Sequence, residues 1–360
     1  MGQSPASSTY NTIGEGVPFF QGNADFGIEH PNVRVYCSLP TKMSEKGDVL
    51  ISVRAPIGAV NLANQRCCIG RGLAAVRPLE GKSQTRYLYH LLIANREALE
   101  SKGTGSTFKA ITGKVLNDVH VPSYNMEQQK EIARVLDTVV TAIRKRQKQI
   151  AFYNDLVKSQ FIEMFGDYSL RNMKPDWVKV GAVAEVVGGS TPKTDRPEYW
   201  DGNFCWVTPA ELKEDDFIVT HTQRSLTEKG VGSCSLRRLP VGTVLLSSRA
   251  PIGKVAIAGV DMYCNQGFKN LICGEKLNSV YVYALLKYNS DYLNSLGRGA
   301  TFKEISKSIV ENIYIPVPAI ARQNEFARFV EQTDKSKFRI KQSLEKLETL
   351  YKALLQKYFG

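Results

Sequence analysis

The sequence predicts an α+β fold: two globular, mostly-β domains at opposite ends of an antiparallel two-helix coiled coil, related by a pseudo-twofold internal repeat. Three observations carry this prediction. Motifs of the first half return in the second half after a near-constant interval. Two stretches of about forty residues contain neither proline nor glycine and set apolar residues at helical spacing. The segments before them are short β-branched runs punctuated by Pro and Gly, the texture of strands and turns.

The repeat comes first. Gly47–Val60 (GDVLISVRAPIGAV) returns as Gly242–Val255 (GTVLLSSRAPIGKV), and Gly105–Ile111 (GSTFKAI) returns as Gly299–Ile305 (GATFKEI). Val119–Pro122 maps onto Ile313–Pro316, Gln129 onto Gln323, and Phe165-Gly166 onto Phe359-Gly360. A period this long is no solenoid, so each copy is expected to be a domain followed by a helix. Residues 1–123 make the first globular domain, with strand VLISV and a helix over Arg86–Ser101; residues 124–166 hold the first long helix. Residues 167–317 make the second globular domain, with strand VLLSS and a helix over Asn278–Gly297; residues 318–360 hold the second long helix.

The uninterrupted helical stretches run from Met126 to Phe165 and from Ile320 to Phe359. In the second, Ile340, Leu344, Leu347, Tyr351 and Leu354 alternate steps of four and three, a coiled-coil seam. In the first, Ile143, Ile150 and Val157 hold a seven-residue spacing. Helices of this length reach about 60 Å, too long for one small domain to cover, so they are expected to pair with each other. The copies differ at their starts. Aligning Gly2–Pro5 with Gly189–Pro192 leaves Trp177–Val187 (WVKVGAVAEVV) without a counterpart, so the first domain is expected to lack an opening strand and expose a sheet edge.

Of 360 residues, 47 are Lys or Arg and 35 are Asp or Glu, a net charge of +12 that makes a polyanion the leading partner. No apolar run approaches a membrane span, and MGQSPASSTYN lacks a signal-peptide core, so a soluble, cytoplasmic protein is expected. The seven cysteines form no C-x-x-C pair and read as buried reduced thiols, with no metal site.

Catalytic signatures are missing. Gly81-Lys82-Ser83 resembles the end of a phosphate-binding loop, but Val76 stands where its first glycine belongs. Gly70-Arg71-Gly72 lacks a third glycine, and the four histidines are scattered. Asp201 with Glu211 and Lys213 imitates a Mg²⁺-nuclease set, yet the first copy has Asp25 and Gly27 at the places of Glu211 and Lys213. No catalytic residue is assigned.

If two domains read two DNA segments, residues common to both copies serve the fold or grip phosphates, because phosphates carry no sequence information. Arg54 and Arg249 in the shared R-A-P-I-G are backbone-contact candidates; the alternative is an arginine that pins its turn through a carboxylate. Thr107 and Lys109, with Thr301 and Lys303, follow a glycine and form a candidate phosphate clamp. Here the alternative is a helix-opening turn with Thr as cap and Phe in the core. Base readers are sought where the copies differ: Asn32, Arg34 and Tyr36 in the first, His221, Gln223 and Arg224 in the second. Phe19, Phe20, Trp200 and Trp206 read as core rather than stacking platforms.

With these motifs in place, the chain resembles the specificity subunit of type I restriction-modification systems, which run target-recognition domain, long helix, target-recognition domain, long helix. The resemblance spans the full length. It is carried by Ser4–Gly22 (SPASSTYNTIGEGVPFFQG), the paired RAPIG and TFK motifs, the VP ends, and the QQ-x-EI and RQ-x-EF helix starts at Gln128 and Arg322. It implies a non-catalytic subunit whose domains each read half of a split target in double-stranded DNA, with the helices as a ruler. It further implies two DNA adenine methyltransferase subunits and restriction/translocase subunits as partners. S-adenosylmethionine, ATP and Mg²⁺ would belong to those partners, and this chain would hold no cofactor. Three rival readings are a truncated specificity subunit acting as half-reader or decoy, a sequence-specific nuclease or methyltransferase, and a coiled-coil scaffold.

Overall fold

Short apolar runs opened by valine and buried on both faces make the central strand of each half. In the computed structural model, which describes residues 1–105, 109–167, 169–213, 216–299 and 303–360, Val49–Ser52 is wholly buried. It pairs antiparallel with Val60–Leu62 on one side and Leu73–Val76 on the other. These strands belong to the first of two compact units, Met1–Lys148 with Lys341–Gly360; the second is Gln149–Ile340.

In the first unit a second sheet runs in the order Tyr10–Asn11, Val35–Cys37, Val17–Phe20, Cys67–Ile69, Met43–Ser44. Its parallel pair aligns Phe19 with Cys68 and Phe20 with Ile69. The helix Thr85–Ala94, capped by the Gln84 side chain, buries Tyr87, Leu88, Leu91 and Leu92 in the core that contains Val49 and Ile51. The single helix expected over Arg86–Ser101 is in fact two, Thr85–Ala94 and Arg96–Ser101. Asn95 breaks it by donating its side-chain amide to the Leu91 carbonyl at 2.9 Å, competing with the helical ladder. Asn289 does the same to Leu285 in the second unit, separating Ser279–Lys287 from Ser290–Ser295.

The second unit repeats the plan with additions. Its main sheet has five strands in the order Ala184–Gly188, Lys269–Cys273, Val244–Leu246, Val255–Ala258, Ile218–Val219. The parallel pair recurs as Trp200–Val207 beside Met262–Cys264. A further two-stranded ladder joins Val178–Lys179 to Tyr314–Ile315. In the first unit, Leu73–Val76 has no neighbouring strand on its outer side among the described residues.

The long helices are Met126–Phe165 and Ile320–Phe359, the bounds the sequence indicates. The first opens on a reciprocal cap, in which Asn125 and Gln128 each accept the other's backbone N–H. Within the first unit, Ile132, Leu136 and Leu355 are buried in the core, with Tyr351, Leu354, Tyr358 and Phe359 packed against it. Within the second, Phe161, Phe165 and Phe326 cluster around Tyr281 with ring centroids 4.9–5.8 Å apart. The proposed seam residues Ile143, Ile150, Val157, Ile340, Leu344, Leu347, Tyr351 and Leu354 are all half-buried. The seven cysteines are free, and burial pushes Cys67 and Cys264 up to about 12, which keeps these thiols protonated. No helix among the described residues is long and apolar enough to cross a membrane.

Candidate nucleic-acid interface

Each central strand runs into its R-A-P-I-G turn, and the turn is tied by short-range bonds. Ser52 Oγ donates to the Arg54 carbonyl at 2.8 Å, and the Gly58 N–H returns to the Ser52 carbonyl at 2.9 Å. In the second copy Ser247 Oγ donates to the Pro251 carbonyl at 2.7 Å and the Gly253 N–H to the Ser247 carbonyl at 3.1 Å. Gly58 and Gly253 lie at φ 83° and 94°. A side chain at Gly58 would also press within 2.8 Å of Arg96, so glycine is required twice over.

The second shared motif is laid against the first. The Ala55 N–H donates to the Lys109 carbonyl at 3.1 Å and the Ile111 N–H to the Val53 carbonyl at 2.9 Å. Thr104 and Ala110 bridge to each other, next to Lys109, as do Arg298 and Glu304, next to Lys303. In the second copy Arg249 bridges Glu304, and the Ile305 N–H donates to the Ser248 carbonyl at 3.1 Å. Arg54, Lys109 and Lys303 are exposed and Arg249 is half-buried. Two motifs far apart in sequence thus place an arginine and a lysine on one loop cluster in each unit. In the second, Arg249, Lys303 and Asn294 line one concave surface.

Among the described residues none of these four cations has a carboxylate within 4.0 Å, so the turn-pinning reading of the arginines finds no partner. Glu304, beside Lys303, is engaged by Lys269 at 3.2 Å. The helices that follow the second motif are capped by Thr112 and Ser306. Thr107 and Thr301 themselves lie outside the described residues.

The divergent segments prove to be counterparts. Val35–Cys37 pairs with Val17–Phe20, and Arg224–Leu226 pairs with Trp200–Val207, each flanking the shared parallel pair. Asn32 is exposed and Tyr36 half-buried. Arg34 is exposed but held by the Asp25 carboxylate and, at 2.7 Å, by the Ala24 carbonyl. His221 and Gln223 are exposed. Arg224 lies 3.4 Å over the Trp200 ring, a cation–π stack that fixes its guanidinium. The Glu211 carboxylate is committed to its own loop, accepting from Thr208 Oγ1 at 2.9 Å and the Gln223 N–H at 2.8 Å. Phe19, Phe20, Trp200 and Trp206 are buried.

Two features escaped the sequence reading. Gln129 and Gln323, paired in the repeat, are buried clamps. Gln323 accepts from the Asn278 N–H at 2.9 Å and donates to the carbonyls of Lys276 (3.0 Å) and Pro318 (2.7 Å); Gln129 repeats this with Gln84, Lys82 and Tyr124. The second feature belongs to the first unit alone. Arg86 bridges Glu29 and Asp137, Arg144 reaches Glu29 at 2.9 Å, and buried His90 lies 2.8 Å from both Asp137 and the Tyr351 hydroxyl.

Burial pushes the His90 imidazole below its ordinary value, against the opposing pull of Asp137. The ring is therefore neutral, donating Nε2–H to Asp137 and accepting from Tyr351 at Nδ1. Burial raises the Asp137 carboxyl, but the hydrogen bonds from His90 and Arg86 outweigh it and hold the group low; for Glu29, Arg144 and Arg86 do the same. Unfolded histidine takes up its proton near pH 6.5 and this folded one only lower, so the first unit loses stability as pH falls below about 6.5. The carboxylates add their own loss only below about pH 4. The second unit has Ala284 in the place of His90. Calorimetry from about pH 7.5 to about pH 5.5 is expected to move the first unit's transition downward, and His90→Ala to remove that movement. An equal pH response in wild type and variant would contradict this assignment.

The family described as type I restriction modification DNA specificity domain matches residues 36–151 and 175–349. The type I restriction enzyme MjaIX specificity subunit of Methanocaldococcus jannaschii is 37% identical over 209 residues, 57% of this chain and 48% of that protein. The EcoR124I/EcoR124II specificity subunit of Escherichia coli is 28% identical over 228 residues, 59% of this chain and 53% of that protein. The chain thus spans about half the length of these curated relatives. A crystal structure of the type I restriction-modification S subunit from M. genitalium shares the fold, with a TM-score of 0.60 over 100% of this chain and 92% of that one at 16% identity.

Proposed function

Because the chain belongs to the type I restriction-modification DNA specificity family, we propose that it is the non-catalytic, DNA-recognising subunit of such a system, each globular domain reading one half of a bipartite target. One observation carries this reading. The same Arg–Lys pair, Arg54 with Lys109 and Arg249 with Lys303, exposed apart from the half-buried Arg249, recurs in both units and is not neutralised by neighbouring carboxylates among the described residues. Uncompensated cations on a protein of net charge +12 suit a phosphate backbone.

The two long helices act in this reading as an antiparallel coiled coil whose length sets the unread spacer, with a pseudo-twofold relation between the halves. Contacts inside each unit support it: Leu136 shares a core with Leu355, and Phe326 packs on Phe161 and Phe165, as an antiparallel register requires. Two methyltransferase subunits and restriction/translocase subunits complete the assembly, supplying S-adenosylmethionine, ATP and Mg²⁺ chemistry in the cytoplasm.

Co-expression with the methyltransferase partner in a methylation-free host, followed by mapping of methylated adenines, tests the proposal. A split motif with a fixed spacer is expected. Four residues added to both helices lengthen each by about 6 Å, and the spacer is expected to grow by nearly two base pairs at about 3.4 Å each. A palindromic motif would restrict reading to the second domain, and a complex that forms without methylating would favour the decoy. An unchanged spacer after insertion would refute the ruler.

A further inference from the structure

The two units set the same turn at the end of the same strand and put different chemistry on it. Cys67–Ile69 runs into Gly70-Arg71-Gly72, and Met262–Cys264 runs into Asn265-Gln266-Gly267. Phe19 pairs with Cys68 as Trp206 pairs with Tyr263, and Ser52 faces Leu73 as Ser247 faces Phe268, so Arg71 and Gln266 are equivalent. Backbone bonds tie each turn to the strand end that carries the R-A-P-I-G arginine. The Val53 N–H donates to the Gly72 carbonyl at 3.0 Å, and the Ser248 N–H to the Gly267 carbonyl at 2.7 Å. One residue beyond these bonds stand Arg54 and Arg71 in the first unit, Arg249 and Gln266 in the second. The Gly72 N–H also reaches the Gln21 carbonyl at 3.2 Å, and a side chain at Gly72 would come within 2.5 Å of that oxygen.

Each turn holds its side chain outward and leaves its hydrogen-bonding groups open. Arg71 is exposed, and among the described residues its guanidinium has neither a hydrogen bond nor a carboxylate within 4.0 Å. The Ser4 hydroxyl accepts from the Arg71 backbone N–H at 3.1 Å and from the Gln21 side-chain amide at 3.1 Å, and the three residues line one concave surface. Gln266 is exposed, and its Oε1 accepts from Thr191 Oγ1, the hydroxyl that matches Ser4 in the repeat. That bond steadies the amide and leaves its NH₂ and the second lone pair of Oε1 open among the described residues. Arg34 differs. Its Nη2, which belongs to both paired-donor edges of a guanidinium, is taken by the Ala24 carbonyl and the Asp25 carboxylate.

We infer that Arg71 and Gln266 each choose one base pair in their half of the target, Arg71 by donating to N7 and O6 of a guanine, Gln266 by donating to N7 and accepting from N6 of an adenine. The inference rests on the DNA-recognising role proposed above and adds which side chains select bases. Residues that grip the backbone carry no sequence information and are alike in both units, Arg54 with Lys109 and Arg249 with Lys303. Readers of two different half-sites must differ on that common frame, as Arg71 and Gln266 do. The backbone tie to the arginine strand lets a phosphate contact fix where the neighbouring reader enters the groove.

The test expresses the full chain with its methyltransferase partner in a methylation-free host and maps the methylated motif for wild type, R71A, R71Q and Q266R. R71A is expected to keep the motif except at one G·C pair of one half-site, where discrimination falls on the order of tenfold to a hundredfold. R71Q is expected to move that position toward A·T. Q266R is expected to move one A·T pair of the other half-site toward G·C. Motifs unchanged by both swaps, a uniform fall in methylation over an unchanged motif, or shifts by both variants in the same half-site would overturn the inference and leave the DNA-recognising role standing. A wild-type complex that methylates no split motif would overturn that role, and the inference with it.

Discussion

Replacing Arg54, Lys109, Arg249 and Lys303 together with alanine is expected to weaken duplex binding on the order of 10³-fold near 0.1 M salt, equally for target and unrelated sequences. Each phosphate contact releases condensed counterions, so the slope of log affinity against log salt should shrink by about 0.9 per contact, about 3.6 for four. The fold should not suffer, because three of these side chains are exposed and none has a carboxylate partner among the described residues. Titrations of labelled duplex across a salt series, with thermal melting of the variant as control, measure both quantities. A loss confined to the target sequence would make these residues base readers, and an unchanged slope would remove them from the interface.

The second large effect is expected from Gln323→Ala. Gln323 is fully buried; two of its three hydrogen bonds join the second long helix to the loop before Ser279–Lys287, and the third holds Pro318 at the entry to that helix. Alanine leaves one N–H and two carbonyls without their partner, a loss of about 3 kcal/mol once solvent reaches some of them. Gln129→Ala should act comparably on the first unit, where the bonds recur but the side chain is 4% exposed. Gln147→Ala, on an exposed face of the first long helix, should stay within about 0.5 kcal/mol. Urea unfolding of the three variants measures the difference. Equal stability of Gln323→Ala and Gln147→Ala would show that the clamp bonds are replaced by water.

How much was legible follows the range of the forces involved. Both long helices were readable, since an unbroken helical period bounded by Pro, Gly and a cap is a local signal. The helix over Arg86–Ser101 was read through its break at Asn95, because a side chain competing with the backbone leaves no trace in apolar periodicity. Gln129 and Gln323 stood in the repeat, but nothing in a glutamine announces three buried partners up to 47 positions away.

By itself the sequence determined the duplication, the two long helices, the central VLISV and VLLSS strands and the excess of positive charge, because periodicity and composition are properties of neighbouring residues. Tertiary structure alone decided that the R-A-P-I-G motif and the lysine of the second motif, Lys109 or Lys303, come together in each unit. It also decided that Arg34 is drawn to Asp25 and Arg224 to Trp200, and that His90 meets a tyrosine 261 positions away. Those juxtapositions depend on how sheets close and which chain segments return to them, and chain closure over tens to hundreds of residues is governed by the packing of the whole unit rather than by any local pattern.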